Sequence, residues 1–195
     1  MAIFKNLFVK PLPCIGSPVA GQSVPLSQVN DPTFSHELLG RGVAVLPTDG
    51  KVYAPCDACV DVVFPTGHAI SLITPAGAEV LMHIGLETVN LHGKHFTVHT
   101  AIGSHVKKGQ LLLEFDLESL KQDGYDPIIP IVVCNSNLFN VFHVKTGNSD
   151  GQQTYRCKHR ETSADVIGDN ETLVTLFVGS DACSTLDCVC DGYND

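Results

Sequence analysis

Residues 68–84 read HAISLITPAGAEVLMHI, two apolar runs joined by Pro75-Ala76-Gly77. In each run, large aliphatic residues alternate with smaller or polar ones, which is the period of a half-buried β-strand. Proline and glycine between two such runs are typical of a tight turn. The stretch therefore predicts a β-hairpin with one histidine, His68 or His83, near the open end of each strand.

Other apolar runs of strand length follow the same pattern, and no long stretch shows the 3.6-residue period of a helix. Turn signals such as Asp49-Gly50 and Tyr125-Asp126-Pro127 separate these runs. Residues 117–122 are expected to form one short helical turn. The predicted fold class is therefore all-β, an antiparallel β-sandwich or barrel with at most short helical turns. The predicted strands cover 43–46, 60–64, 69–74, 78–84, 111–115, 128–133 and 173–178.

Composition excludes several classes of protein. The chain has 195 residues, 44% of them hydrophobic, so it can bury a core and is not generically disordered. Its formal net charge of −9 argues against a nucleic-acid partner, because phosphate binding needs clustered cations. No apolar run reaches the roughly 20 residues of a membrane-spanning helix.

The hairpin register decides whether the two histidines meet. With an even-numbered loop around Pro75-Ala76, His68 and His83 are paired on one face, with Cβ atoms ~4.5–5.5 Å apart. An odd-numbered loop instead predicts opposite faces, since a shift of one residue reverses every side chain. Two facing imidazoles suit metal binding or phosphoryl transfer, in which a neutral ring nitrogen is the nucleophile. The hydroxyl of Thr66 is placed to fix a ring tautomer or to contact the phosphoryl group.

The segment from Gly77 to Val89 resembles the active-site signature of the glucose-type enzyme IIA proteins of the bacterial sugar phosphotransferase system. That signature is Gly, two residues, three aliphatics, His, aliphatic, Gly, aliphatic, any residue, Thr and aliphatic, and the segment matches every position. Phe64-Pro65-Thr66-Gly67-His68 and Val132-Val133-Cys134-Asn135-Ser136 also resemble the family, in order. The resemblance covers roughly residues 16–140.

The resemblance implies a phosphocarrier with a β-sandwich of the duplicated hybrid motif type. His83 would accept a phosphoryl group from the histidine-containing phosphocarrier protein and pass it to a cysteine of enzyme IIB for sugar uptake. His68 would stabilise the transferring group, assisted by Thr66. No cofactor is required, and the location implied is cytoplasmic or peripheral at the inner membrane face.

Four further residues match family positions that contact partner proteins. Asp31 and Glu87 would face a basic partner, and Phe34 and Phe64 would form an apolar rim. The expected partners are the histidine phosphocarrier, the enzyme IIB/IIC permease, and metabolic enzymes or permeases under its regulation.

The expected domain covers 16–178, with a loop insertion at about 148–168. It follows a flexible leader at 1–15 and precedes an acidic, cysteine-rich tail at 179–195 that contains Cys183, Cys188 and Cys190.

Two alternatives stay open. One is a regulatory binding module of the same fold without turnover, which would use the same apolar face. The other is a zinc metallohydrolase, since further histidines add to His68 and His83 as candidate ligands: His92, His95, His99 and His105. His68 and His83 by themselves are also possible ligands of an adventitious or regulatory zinc ion. The HxH motif of related zinc peptidases is absent from the sequence.

Overall fold

The computed structural model describes residues 14–139 together with 141–145, 148–150 and 173–177. Two short α-helices lie among the strands, α1 (Pro32–Ser35) and α2 (Leu117–Gln122). Single 3₁₀ turns occur at Leu26–Gln28, Thr88–Leu91 and Ser136–Leu138. The strands of the described part are β1 (Cys14–Ile15), β2 (Ala20–Pro25), β3 (Arg41–Pro47), β4 (Lys51–Tyr53), β5 (Ala58–Val63), β6 (Ala69–Ile73), β7 (Glu79–His83), β8 (Phe96–Val98), β9 (His105–Val106), β10 (Leu111–Phe115), β11 (Ile129–Val133), β12 (Val141–Lys145), β13 (Asn148–Asp150) and β14 (Leu173–Phe177).

The strands form one large sheet and two small ones. The large sheet has the order β13-β2-β3-β11-β7-β6-β5-β9, and every neighbouring pair in it is antiparallel. A second sheet, β4-β10-β8, is also antiparallel. The prediction of a mostly antiparallel all-β fold with short helical turns is confirmed, and the helical turn expected at 117–122 is α2.

The third sheet departs from the antiparallel prediction. Its order is β1-β14-β12, and both of its pairs are parallel. β1 consists of the last two residues of the predicted leader, and Ile15 is fully buried. The first three residues of the predicted 148–168 insertion form β13 against β2. The remainder of that insertion, residues 1–13 of the leader and the 179–195 tail lie outside the described residues.

The main core lies between the two antiparallel sheets. Ile70 of β6 and Met82 of β7 point inward from the large sheet, and Leu112 and Leu113 of β10 contribute from the smaller sheet. Each is at most 1% exposed, and burying a side chain of this size stabilises the fold by roughly 1.5–3 kcal/mol. The alternation of buried and exposed residues in β7 thus places His83 on the face opposite this core.

A second apolar cluster covers the other face of the large sheet beside β7. β11 is buried along its whole length because Val132 contributes to this second cluster while Ile131 packs in the main core. Phe34 of α1 and Leu86, which follows β7, belong to the second cluster. The cluster therefore supports the segment that follows His83.

Of the two hairpin registers left open by the sequence, the structure has the odd-numbered one. His83 pairs with Ala69, not with His68. Gly77, at φ +85°, donates its N–H to Thr74 O, and Thr74 donates its N–H to Ala78 O, which leaves a three-residue loop. A three-residue loop with glycine in the left-handed conformation is a common hairpin connection, and Gly77 is the sequence signal that favours the odd-numbered loop.

Within the described residues, no helix has the length and apolar composition needed to cross a membrane.

Candidate functional site

His83 is the last residue of β7, and its ring has a defined orientation. Its Nδ1 atom lies 2.8 Å from the carbonyl oxygen of Gly85. Since a carbonyl oxygen can only accept a hydrogen bond, Nδ1 carries the proton and donates it. The neutral ring then keeps a lone pair on Nε2, so Nε2 is the ring nitrogen with the electron pair that nucleophilic attack needs.

The chain after His83 folds into a closed turn that presents the Gly85 carbonyl to the ring. Gly85 has φ +73°, and its N–H donates to Ile128 O at 3.1 Å. Leu86 N–H donates to Asp126 O at 2.8 Å, which ties the turn to a neighbouring segment of chain. The buried hydroxyl of Thr88 donates to Ile84 O at 2.6 Å. These bonds fix the carbonyl that determines the His83 tautomer.

His68 lies next to His83 although the two residues are not paired. Their ring centroids are 5.0 Å apart, with an angle of 76° between the ring planes. His68 precedes Ala69, the first residue of β6, so the alternation of the strand does not fix its direction. Its carbonyl accepts the Ile84 N–H at 2.7 Å, which anchors its backbone opposite the end of β7. The two imidazoles thus lie together although the hairpin has an odd-numbered loop, for which opposite faces were predicted.

Thr66 contacts the other side of the His68 ring. Its hydroxyl forms a hydrogen bond with Nδ1 of His68. This bond leaves Nε2 of His68 available to the space beside His83. His68 is only 6% exposed, so the contact is shielded from solvent.

Two phenylalanines pack against the histidines in different ways. Phe64 lies edge-on to His68 at 5.3 Å between centroids and is 38% exposed, as expected of an apolar rim. Phe34 lies 5.4 Å from the His83 ring but is only 4% exposed. Phe34 is part of the second apolar cluster and packs against the His83 ring, so little of it is accessible to a partner. Its role in partner binding stays a prediction.

Burial keeps both imidazoles neutral. Desolvation, with a smaller contribution from the nearby His83 ring, lowers the pKa of His68 to about 4. Desolvation also lowers the pKa of His83, although the Gly85 carbonyl and the charges of Asp31 and Glu87 oppose the shift. A ring that is unprotonated at neutral pH has the lone pair that nucleophilic attack requires.

The two predicted acidic residues lie near His83 and differ in environment. Asp31 caps the N-terminus of α1, accepting the Thr33 N–H at 2.7 Å. Glu87 is exposed and has φ +57°, in the turn that follows His83. Both carboxylates act electrostatically on the His83 ring. They give the rim of the site a negative charge.

The site offers few metal ligands. The Nε2 atoms of His68 and His83 are two nitrogen donors of the kind that zinc prefers. In the described part of the chain, no group of three or more His, Cys, Asp or Glu side chains is arranged to hold a metal ion.

Sequence reasoning missed the roles of Gly85 and Thr88. Both occupy fixed positions of the signature, but their spacing from His83 does not reveal which backbone oxygen contacts the ring. A Cβ atom on Gly85 would lie 2.7 Å from the Thr88 Cγ2 atom and 3.0 Å from Asp126 O. The packing of the turn thus explains why glycine is needed there.

The fold and the site define a class of protein: a β-sandwich with a neutral, oriented imidazole and a second imidazole beside it. Residues 14–139 match the family described as phosphoenolpyruvate-dependent sugar phosphotransferase system, EIIA 1. The chain belongs to this family and is a phosphotransferase component that carries phosphoryl groups.

Individual relatives agree with the family assignment. The chain is 48% identical over 135 residues to the PTS system beta-glucoside-specific EIIBCA component of Dickeya chrysanthemi. The matched segment covers 69% of this chain and 21% of the relative. It is 46% identical over 125 residues to the protein of the same description from Halalkalibacterium halodurans, covering 64% of this chain and 20% of the relative. The chain thus spans about a fifth of the length of these curated relatives.

A solved structure shows the same fold. Glucose permease IIA from Mycoplasma capricolum superposes with a TM-score of 0.67 at 32% sequence identity. The similarity covers 76% of this chain and 94% of that chain. The β-sandwich predicted from the sequence is therefore confirmed by comparison as well as by the sheet topology.

Proposed function

We propose that His83 is the phosphoryl acceptor of this phosphocarrier and that the group is bound at Nε2. The observation that carries the proposal is the 2.8 Å hydrogen bond between His83 Nδ1 and the Gly85 carbonyl. It leaves the lone pair on Nε2, next to a second imidazole in a largely buried site.

The bonds formed and broken in the phosphoryl transfer balance without a cofactor. The His83 Nε2 lone pair attacks the phosphorus of a phosphohistidine on the donor protein, and a new N–P bond forms. The N–P bond of the donor breaks, and its electron pair returns to the donor imidazole. Onward transfer repeats the exchange, with a cysteine thiolate of enzyme IIB as the attacking group. Both steps depend on alignment and charge stabilisation more than on acid–base chemistry.

His68 and Thr66 assist this transfer. If the Thr66 hydroxyl donates to His68 Nδ1, the proton of the neutral ring is on Nε2 and is available to a phosphoryl oxygen. A neutral donor is suited to the task because the phosphoryl group must also leave again. The low pKa of His68, about 4, keeps this ring neutral at physiological pH.

The rim supports docking of proteins that carry basic and apolar groups. Asp31 and Glu87 supply negative charge, and Phe64 is an exposed apolar contact beside His68. We assign this surface to the histidine phosphocarrier as donor and to enzyme IIB as acceptor. The descriptions of the two EIIBCA relatives support IIB and IIC partners and a beta-glucoside as the sugar. The cytoplasmic location remains a prediction.

The direct test is phosphorylation from phosphoenolpyruvate through purified enzyme I and the histidine phosphocarrier, followed by intact-mass measurement. We expect one acid-labile phosphoryl group on the wild type and none on His83→Gln. His105→Gln is the matched control, because His105 is an exposed histidine on edge strand β9. We expect that control to be phosphorylated like the wild type.

Two further outcomes decide the remaining assignments. His68→Gln should accept the phosphoryl group but transfer it to enzyme IIB much more slowly than the wild type. A folded wild type that takes up no phosphoryl group would contradict the proposal and favour the regulatory module without turnover.

Zinc binding by His68 and His83 is a separate proposal, supported by the 5.0 Å separation of their ring centroids. It requires the His68 tautomer in which Nδ1 donates to the Thr66 hydroxyl and Nε2 keeps its lone pair. Zinc titration of the wild type and of His68→Gln, followed by calorimetry, tests it. Catalytic zinc sites usually have three protein ligands, so this pair better fits a regulatory ion than a hydrolase.

A further inference from the structure

We infer that Thr88 is a positioning residue for His83, an assignment that rests on the proposed function of His83 as phosphoryl acceptor. Thr88 does not contact the ring. Its hydroxyl donates to Ile84 O at 2.6 Å and lies 3.5 Å from Gly85 O, the atom that accepts the His83 Nδ1 proton. Thr88 therefore acts on the nucleophile through the turn.

Both branches of the Thr88 side chain contribute to this position. The hydroxyl closes the turn by bonding four residues back, and Thr88 is fully buried, so water does not compete for the bond. The Cγ2 methyl occupies the space in which a Cβ atom on Gly85 would lie, at 2.7 Å. The hydroxyl and the methyl together hold the Gly85 peptide from one side.

The other side of the turn is held independently. Gly85 N–H donates to Ile128 O at 3.1 Å, and Leu86 N–H donates to Asp126 O at 2.8 Å. Because a peptide unit is planar, the Leu86 N–H bond also orients the Gly85 carbonyl. Thr88 holds the preceding peptide through Ile84 O, and its hydroxyl lies 3.5 Å from Gly85 O itself. Without the Thr88 hydroxyl, the Gly85 carbonyl keeps the support from Asp126 and loses the one from Thr88, so its aim at Nδ1 is less well fixed.

A misaligned Gly85 carbonyl changes the chemistry of His83. The neutral ring can then carry its proton on Nε2, and in that tautomer the nucleophilic lone pair is lost from the reacting position. The expected effect is slower phosphoryl acceptance by a protein that still folds.

The test compares Thr88→Val, which removes the hydroxyl and keeps the shape, with Thr88→Ser, which keeps the hydroxyl. We expect Thr88→Val to accept the phosphoryl group about tenfold more slowly, the loss that corresponds to one buried hydrogen bond. Thr88→Ser should slow acceptance less than Thr88→Val does, because it keeps the hydroxyl and loses only the methyl contact with Gly85. The nitrogen NMR signals of the His83 ring should show protonated Nδ1 in the wild type and in Thr88→Ser, and a mixture of tautomers in Thr88→Val.

Thr74→Val is the matched control. Thr74 is also a buried threonine whose hydroxyl is hydrogen bonded to the backbone four residues away, accepting the Ala78 N–H at 2.9 Å. It lies at the opposite end of strand β7. We expect Thr74→Val to lose stability but to keep the wild-type rate of phosphoryl acceptance and the wild-type NMR signals of the His83 ring. Equal rate losses in Thr74→Val and Thr88→Val would overturn the assignment.

The remaining outcomes are also decisive. A folded Thr88→Val variant with the rate and ring signals of the wild type would overturn the inference. If Thr88→Val does not fold, Thr88→Cys replaces it, because a thiol is a much weaker donor than a hydroxyl. Failure of the wild type to take up phosphoryl groups would contradict the proposed function, while the ring signals would still report whether Thr88 sets the tautomer.

Discussion

Strand β7 lies between two turns that need the same backbone conformation for different reasons. Gly77 before the strand has φ +85°, and Gly85 after it has φ +73°. A Cβ atom on Gly77 would meet nothing within 4 Å, whereas one on Gly85 would meet a methyl group at 2.7 Å and a carbonyl oxygen at 3.0 Å. The first turn only reverses the chain, whereas the second holds the Gly85 carbonyl against Nδ1 of His83.

The second turn also contains backbone strain that the first lacks. Glu87 has φ +57° without being glycine, a conformation that costs of order 1 kcal/mol and is maintained by surrounding contacts. In this turn, the bond from Thr88 to Ile84 O and the bonds to 126–128 supply those contacts. Strain is thus located where the orientation of His83 is set, and the simple hairpin loop carries none of the chemistry.

The largest expected effect comes from replacing the packed glycine. Gly85→Ala should lower the free energy of unfolding by about 3 kcal/mol, since it combines an unfavourable φ with a close contact to the buried Thr88. Gly77→Ala should cost only about 1 kcal/mol, because the φ penalty acts alone. Chemical denaturation of both variants measures the difference. Equal losses would show that the turn after β7 is not more tightly packed than the hairpin loop.

The next effect concerns the pH dependence of stability. The pKa of His68 is about 4 in the folded protein and about 6.5 in an unfolded chain, so the unfolded state binds more protons between these values. The stability contributed by neutral His68 is therefore complete above pH 6.5 and is lost as the pH falls toward 4. The loss is at most about 3 kcal/mol, because each pKa unit corresponds to 1.36 kcal/mol.

His68→Gln provides the comparison for this prediction. The variant should lose less stability than the wild type between pH 7 and pH 4.5, because only the lowered pKa of His83 then contributes from the histidine pair. Denaturation at several pH values measures both slopes. Identical slopes would contradict the burial of His68 as the cause of its low pKa.

The fold was largely predictable from the sequence, because alternation and turn residues are local signals. The pairing of β6 with β7 and the helix at 117–122 both follow from such signals. Two site features were not predictable, since they depend on contacts between distant residues. Phe34 is buried because Leu86 and Val132 pack around it, and the turn after His83 is anchored by Asp126.

A smaller effect is expected from Thr66→Val, which removes the hydroxyl bonded to His68 Nδ1 while keeping the side-chain shape. We expect onward transfer to enzyme IIB to slow about fivefold, since one hydrogen bond of roughly 1 kcal/mol is lost. Phosphoryl acceptance by His83 should change less than onward transfer. Transfer rates for Thr66→Val and Thr66→Ser measure this effect, and a serine variant as slow as valine would show that the hydroxyl is not responsible.

The smallest effect is expected at the rim of the site, from Asp31→Asn. Asparagine caps a helix as well as aspartate does, so α1 and the stability of the protein should be unchanged. The loss of one negative charge beside His83 should slow association with a basic donor protein a few-fold at low salt, and the difference should vanish at high salt. Glu118→Gln on α2 is the control, because its exposed carboxylate pairs with Lys121 and does not act on His83. If Asp31→Asn still reacts more slowly at high salt, long-range attraction is not the cause. The carboxylate would then contribute through the geometry of the site, as the turn after β7 does.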